Sequence, residues 1–578
     1  MTKMWLAVLV GVVMLVSLGC GSDGAETPED ESFDFGQFTN VNDEGKEDGL
    51  GVSALPVSAD NTETAVWTVK NQWADTSTAA AKKAGLAWGA NSGLNWDQKY
   101  VKWIESLPRV KAYDGYDTFL VTNPQGKSLP APALECSEVA MFLRITFASW
   151  YNLPFFMEAR DGSGVRVYLG HFGWRNAAGR YKNAPKYKSW YRDYTGGNYT
   201  EANWPHDTAL AARSLYNATD DYQPFIDSTA RVGKYMDELF LNKRVGYMLL
   251  LAFDYFGSMN LADSSNTFNL KPTAVQEGDF LLERWQTNGI GHTLIVKALD
   301  PGKDQGTMAA ELASGSMPRR QPKWDDAIAS KYYFTTESTG GAGSSWDGVE
   351  YAKLGGGLKR FRVAAVKSGY YVNTIMQADR ANWISSTDYP KIAARPAEFE
   401  TFLSEPDPAE KLAGLLAMVE SAREHLRAYP ASCSARTTRE QAFSALYEMA
   451  GSLSLTKEEM DRTYRRLEDY VFAELEYSVS KTCCWNSTTA AMYEIIMDYN
   501  KEYVAGGGST CKAPKVFMND GGYSVFKDYA VRTGRGDQWV DWSEDEPCAQ
   551  RSVAADTETT HEWAAYCDGD PVIGPSLP

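Results

Sequence analysis

The cysteines of this 578-residue chain are unevenly distributed, which limits the covalent structures it can form. In an exported protein, clustered cysteines predict disulfides, because the compartment outside the cytosol is oxidising. Six clustered cysteines would form up to three bonds in any of fifteen pairings, so the pairing stays open. Two others, Cys20 and Cys136, stand apart and need separate explanations. The clustered six are Cys433, Cys483, Cys484, Cys511, Cys548 and Cys567.

The N-terminus has the pattern of an export signal. Lys3 precedes an apolar run over residues 4–18, which is shorter than the roughly 20 residues of a membrane-spanning helix. We therefore predict a signal peptide over residues 1–19. The letters "SLGC" that end it resemble the cleavage site of bacterial lipoproteins, which implies lipid on Cys20. Gly21, in place of Asp, then favours export to the outer membrane; an ordinary signal peptide cut nearby is the alternative.

Charge and composition limit the partners of the chain. Residues 20–49 are polar and acidic, which predicts a flexible tether. The formal charge of −18, without a basic stripe, argues against a nucleic-acid partner. We expect a peptide or protein substrate, and contact with the membrane through the lipid anchor only. The sequence indicates no particular oligomeric state.

The length exceeds what one hydrophobic core normally holds, so more than one domain is expected. Residues 50–385 mix helical patterns with short alternating strands, and helix-patterned segments form an insertion at about 173–270. Residues 396–578 are rich in helix formers, including a capping-box pattern from Thr456 to Glu459. The predicted fold class is α+β, followed by a mainly helical, disulfide-stabilised C-terminal domain.

Cys136 begins an apolar, helix-patterned run, "CSEVAMFLRITFASW", which "NLP" at residues 152–154 ends. The dipole and free N–H groups at a helix N-terminus stabilise a thiolate. This position predicts that Cys136 is a nucleophile. The alternative is an inert thiol in the core, since free cysteine is among the most buried residue types.

A thiol nucleophile needs a base, and a third group to orient that base. His292 begins the apolar strand pattern "HTLIVKALD", which would present its ring at a sheet edge. Glu311, in the next strand pattern, could accept the second N–H of the ring. We predict Cys136, His292 and Glu311 as the catalytic set; a satisfied strand histidine and a solvated glutamate are the alternatives.

Two other histidines offer rival pairs. His171 in "LGHFGW" follows Cys136 in a pattern that resembles a transglutaminase-like acyltransferase, but Asp193 comes only after a long loop. Cys484 and His561 form a second possible pair, although the neighbouring cysteines favour disulfides there. Both pairs stay open as alternatives to His292.

Four segments carry a family resemblance. They are the Cys136 helix, "NLPF" at 152–155, "GHTLIV" at 291–296 and "GGGLKRFRV" at 355–363. Over about residues 130–365 the chain resembles the NlpC-type branch of the papain-like cysteine hydrolase superfamily. The resemblance implies a cysteine helix packed on a small antiparallel sheet. It also implies a peptidase or amidase acting on cell-wall peptides or envelope proteins. Relatives carry Asp or His where this chain would use Glu311.

Other chemistries lack their motifs. "NPQGKS" at 123–128 ends like a phosphate loop, but Val121 stands where the first glycine belongs. There is no His-Glu-x-x-His and no Cys-x-x-Cys pattern, so we predict neither a cofactor nor a metal. Arg319 or Arg320 could bind a substrate carboxylate. The alternative to an enzyme is a non-catalytic surface lipoprotein that acts as a binding or assembly module.

Overall fold

A computed structural model of the chain describes eleven segments. The signal peptide, the tether, Cys20 and the five cysteines from Cys483 onward lie outside them, and so does His561. The described residues are 55–56, 62–70, 75–216, 218–287, 291–345, 347–367, 369–404, 408–428, 433–470, 488–506 and 521–539.

The described segments form seventeen strands. They are β1 (Leu55–Pro56), β2 (Arg109–Lys111), β3 (Asp117–Thr122), β4 (Ser128–Pro130), β5 (Phe156–Arg160), β6 (Arg166–Gly170), β7 (Gly173–Asn176), β8 (Gly179–Arg180), β9 (Thr267–Leu270), β10 (Phe280–Arg284), β11 (Gly291–Pro301), β12 (Met308–Ser314), β13 (Lys323–Asp325), β14 (Gly357–Phe361), β15 (Val363–Lys367), β16 (Tyr370–Thr374) and β17 (Trp383–Ile384).

The same segments form sixteen α-helices. They are α1 (Ala79–Lys83), α2 (Trp96–Ser106), α3 (Cys136–Trp150), α4 (Tyr187–Trp190), α5 (Thr208–Ala211), α6 (Val232–Leu239), α7 (Lys243–Tyr255), α8 (Ser258–Ala262), α9 (Ala327–Thr335), α10 (Tyr389–Phe402), α11 (Pro408–Ala428), α12 (Cys433–Met449), α13 (Lys457–Tyr464), α14 (Leu467–Tyr470), α15 (Thr488–Ala505) and α16 (Gly521–Arg532).

The largest sheet has seven antiparallel strands in the order β13-β12-β11-β10-β14-β9-β17. Three smaller antiparallel sheets have the orders β1-β16-β15, β2-β3-β4 and β5-β6-β7-β8. The predicted mixture of helices and antiparallel sheet is therefore confirmed. All of β10 and the first seven residues of β11 are buried, because both faces of the large sheet are covered.

One face of the large sheet packs against α3. Phe280, Leu282 and Ile295 of the sheet share a hydrophobic core with the apolar residues of α3 and α7. The predicted insertion at about 173–270 contributes α7 to this core, so this part of it packs inside the protein.

The opposite face packs against α9, which lies between β13 and β14, and against helices that follow β17. Leu281, Leu294 and Val296 share a second core with residues of α9 to α13. Helices on the C-terminal side of the predicted boundary therefore complete the core of the sheet. The predicted capping box is confirmed, because Thr456 caps α13 and the Glu459 side chain returns to the Thr456 N–H.

Within the described segments, no helix combines the length and the apolar character that a membrane span requires.

Candidate active site around Cys136

Local contacts fix Cys136 at the first position of α3. Glu135, the residue before the helix, is extended, and its N–H donates to the Glu138 carboxylate at 2.7 Å. Leu134 pairs with Arg320 through a backbone bond of 2.9 Å. A Cβ on Gly315 would lie 2.1 Å from the Leu134 oxygen, so only glycine permits this close approach. The cysteine is thus held against the end of β12.

The half-buried thiol of Cys136 lies against the start of β11. Its sulfur donates to the Gly291 carbonyl oxygen at 3.7 Å. Residues 291–294 pair with β10, whereas pairing with β12 begins only at Ile295. The sulfur therefore lies near the edge of β11 that β12 leaves unpaired.

His292 lies on the adjoining residue, with its ring on the other side of the strand. Side chains alternate along a strand, and Leu294 faces the second core while Ile295 faces α3. The buried His292 ring accordingly lies 6.2 Å from the ring of Tyr333 in α9. Among the described residues, no hydrogen bond joins this ring to the thiol. The structure brings the predicted pair to adjoining positions without forming the bond between them.

Burial keeps both groups uncharged near neutral pH. Burial raises the pKa of the Cys136 thiol to about 12; the charges of Glu135 and Glu138 add to the rise, and backbone hydrogen bonds oppose it. Burial lowers the pKa of His292 to about 4, helped by the Arg320 charge and opposed by Asp325. The resting state therefore combines a protonated thiol with a neutral imidazole.

The orienting role predicted for Glu311 does not fit the structure. Glu311 pairs with Ala298, six residues along β11 from His292, which corresponds to about 20 Å at the rise of a strand. Its carboxylate accepts from the Trp324 indole at 2.7 Å and lies 3.7 Å from Arg109. The prediction failed because strand order alone does not give the register between strands.

His171 lies at the wrong end of α3 to serve Cys136. Its ring contacts Phe172 and Tyr371, and its Nδ1 lies 3.0 Å from the backbone oxygen of Phe155. Phe155 follows the C-terminal end of α3, a fifteen-residue helix about 22 Å long, and Cys136 begins that helix. The transglutaminase-like pairing is therefore wrong.

A buried ionic cluster, which the sequence analysis missed, surrounds the first turn of α3. The Arg319 guanidinium bonds to Glu138 at 2.6 Å, to Asp220 at 2.8 Å and to Glu135 at 3.1 Å. Burial, with the charge of Glu138, raises the pKa of Glu135 well above its usual range. The sequence feature that could have indicated this cluster is the pair of glutamates on either side of the cysteine in "ECSE".

His425 is a second histidine that burial keeps neutral. The residue is half-buried, and burial with the Arg320 charge lowers its pKa to about 3. The helix that carries it, α11, covers the second face of the large sheet.

One group of described residues has the composition of a metal site. Ligand atoms of His206, Asp237 and Glu238 lie within 4.8 Å of one another. Lys243 bonds to Asp237 at 2.7 Å, and Lys127 and Lys234 bond to Glu238. The carboxylates are thus already paired with ammonium groups. We therefore interpret these residues as an ion-pair network.

No protein-family model, curated protein or solved structure matches the chain. Its function must be inferred from the geometry around Cys136.

Proposed function

We propose that the protein is a thiol hydrolase, a peptidase or amidase of papain-like type, with Cys136 as nucleophile and His292 as base. The observation that carries the proposal is the contact between the thiol, at the N-terminus of α3, and Gly291, the residue before His292. A helix N-terminus provides backbone N–H groups for a developing negative charge. A neutral imidazole on the next residue provides an acceptor for the thiol proton.

The reaction begins with a rearrangement at the edge of β11 that lacks a β12 partner. The resting His292 ring lies on the other side of the strand, so the Cys136 side chain and the His292 ring both turn toward this edge before the proton passes. As sulfur bonds to the substrate carbonyl carbon, the proton passes to His292 and the oxyanion lies near the first N–H groups of α3. His292 then protonates the leaving amine. Water hydrolyses the thioester, returns a proton to the sulfur and releases the acid.

A second candidate, a non-catalytic surface binding or assembly protein, has an observation in its favour. The thiol donates to a carbonyl oxygen, and Glu135 and Glu138 oppose its ionisation. These are also the surroundings of an inert cysteine. The two candidates differ in one measurable property, which is activation of the thiol by His292.

The test is alkylation by iodoacetamide near neutral pH, quantified on the Cys136 peptide by mass spectrometry. General-base assistance contributes about 10²- to 10⁴-fold, so His292→Ala should slow alkylation by at least about tenfold. Cys136→Ala identifies the labelled peptide. His206→Ala is the matched control, because it removes a half-exposed histidine from another part of the protein. Equal rates in wild type and His292→Ala would reject the enzyme and leave the binding protein.

The proposal includes export to the cell envelope, with a lipid anchor on Cys20 and substrates among cell-wall peptides or envelope proteins. The support is the N-terminal pattern. Mass analysis of the mature protein should find residue 20 at the N-terminus, carrying diacylglycerol. A mature N-terminus without lipid would reject the anchor and leave the hydrolase proposal untouched.

A further inference from the structure

Two adjacent arginines beside the candidate site have opposite surroundings. Arg319 is bound by the three carboxylates of the ionic cluster, so its charge is already neutralised. Arg320 has no carboxylate partner among the described residues. Either arginine was a possible ligand for a substrate carboxylate, and of the two only Arg320 keeps that capacity.

The backbone of Arg320 is held two residues from the nucleophile, and its charge acts on the neighbouring His292. Its backbone oxygen accepts from the N–H of Leu134, two residues before Cys136. Its guanidinium lies over the ring of Tyr116, with 5.4 Å from the central carbon to the ring centre. The residue is half-buried, and its Nε is a buried donor with no hydrogen-bond partner in the described part of the chain. A buried donor without an acceptor is costly, so this position favours an incoming acceptor.

Among the described residues, no neighbouring side chain cancels the Arg320 charge. His292 and His425, on which this charge acts, are both kept neutral by burial. The His292 ring, which is buried, has no hydrogen-bond partner among the described residues. Asp325, which also acts on His292, is paired with Lys323 at 2.8 Å. A positive charge without a counterion in the described part of the chain is notable, because the net charge of the whole chain is −18.

We propose that Arg320 forms an anion subsite that binds a carboxylate group of the substrate beside Cys136. The inference rests on the proposed hydrolase and adds a substrate class to it, namely peptides with a carboxylate close to the scissile bond. Guanidinium and carboxylate form two parallel charge-assisted hydrogen bonds, which position a ligand as well as bind it. The carboxylate can be a free C-terminus or an acidic side chain.

Iodoacetate and iodoacetamide provide a matched pair of probes, because they differ in the carboxylate alone. The measured quantity is the ratio of their alkylation rates at Cys136. Arg320→Gln should lower this ratio by about tenfold, which corresponds to the loss of a charge-assisted hydrogen bond. Lys367→Gln, the same change of charge on an exposed strand residue, should leave the ratio unchanged. An equal ratio in wild type and Arg320→Gln would overturn the subsite.

Direct binding separates the two proposals. Ligand-detected NMR with the full chain would compare N-acetyl-alanyl-alanine, its C-terminal amide, and N-acetyl-glutamyl amide. Selective binding of either acid identifies the position of the carboxylate. The selectivity should be lost in Arg320→Gln and only partly retained in Arg320→Lys, which keeps the charge without the two parallel bonds. Equal binding of the acids and the neutral amide by wild type would overturn the subsite. If Cys136 reacts with neither alkylating reagent, the hydrolase fails and this binding measurement still decides the subsite.

Discussion

The two ends of helix α3 differ in what they bury. Near the C-terminal end, Phe147 and Trp150 pack against Trp103 at ring distances of 5.6 and 5.7 Å. At the N-terminal end the helix buries Glu138 with Arg319 and presents a thiol to a strand edge. The C-terminal end thus holds the helix in place through apolar packing. The N-terminal end keeps charges and a nucleophile, which apolar packing alone does not explain.

The largest expected effect comes from removing aromatic packing at the C-terminal end of α3. Trp103 is fully buried in α2, and Trp103→Ala leaves a cavity between α2 and α3. We expect the free energy of unfolding to fall by about 3–5 kcal/mol, measured by urea denaturation. If the two ends have separate roles, the ratio of iodoacetate to iodoacetamide alkylation in the folded variant should not change. A changed ratio would show that the aromatic packing also sets the chemistry of the thiol.

The second largest expected effect comes from removing the ion pair at the N-terminal end of α3. Arg319→Met leaves the buried carboxylate of Glu138 without its guanidinium, so we expect a loss of about 3 kcal/mol at neutral pH. Arg109→Met is the control, because Arg109 forms a more exposed ion pair with Asp117 at 3.0 Å, a type worth up to about 1 kcal/mol. Equal losses of unfolding free energy in the two variants would show that the ionic cluster contributes no more to stability than the exposed ion pair.

A smaller effect concerns pH. The pKa of Glu135 is raised in the folded state, so the folded protein holds this proton more tightly than the unfolded chain. Its contribution to stability is therefore greatest below about pH 4.3, the unfolded value, and is lost as pH rises through the folded value. Glu135→Gln should remove part of the decline in unfolding free energy above pH 4.3. An unchanged slope would show that Glu135 ionises normally.

Local patterns in the sequence predicted the elements that position the site. The helix beginning at Cys136 and the strand beginning at the "GH" of Gly291 and His292 are where periodicity and turn residues placed them. Register was not predictable. The pairing of β11 with β12 shifts between Val296 and Ala298, and such an irregularity leaves no clear signal in one sequence.

Long-range packing was the second feature that the sequence did not predict. His425 lies on an amphipathic helix, and nothing in that pattern says that the helix covers the sheet of another predicted domain. Arg319 and Arg320 are adjacent residues of the same type, so the sequence does not distinguish them. Only Arg319 is paired with carboxylates, and some of these come from distant segments, such as Asp220. Contacts between segments far apart in the chain decide which of two equal side chains is neutralised.

The pH dependence of Cys136 alkylation by iodoacetamide tests most directly whether His292 deprotonates the thiol. The pKa of His292 is lowered to about 4 and that of the thiol is raised to about 12, so the base is available over the whole range between them. We predict a wild-type rate that is nearly constant from about pH 5 to 9 and falls below about pH 4. His292→Ala should instead show a rate that rises about tenfold per pH unit with the thiolate fraction. A wild-type rate that also rises tenfold per unit throughout would contradict the account.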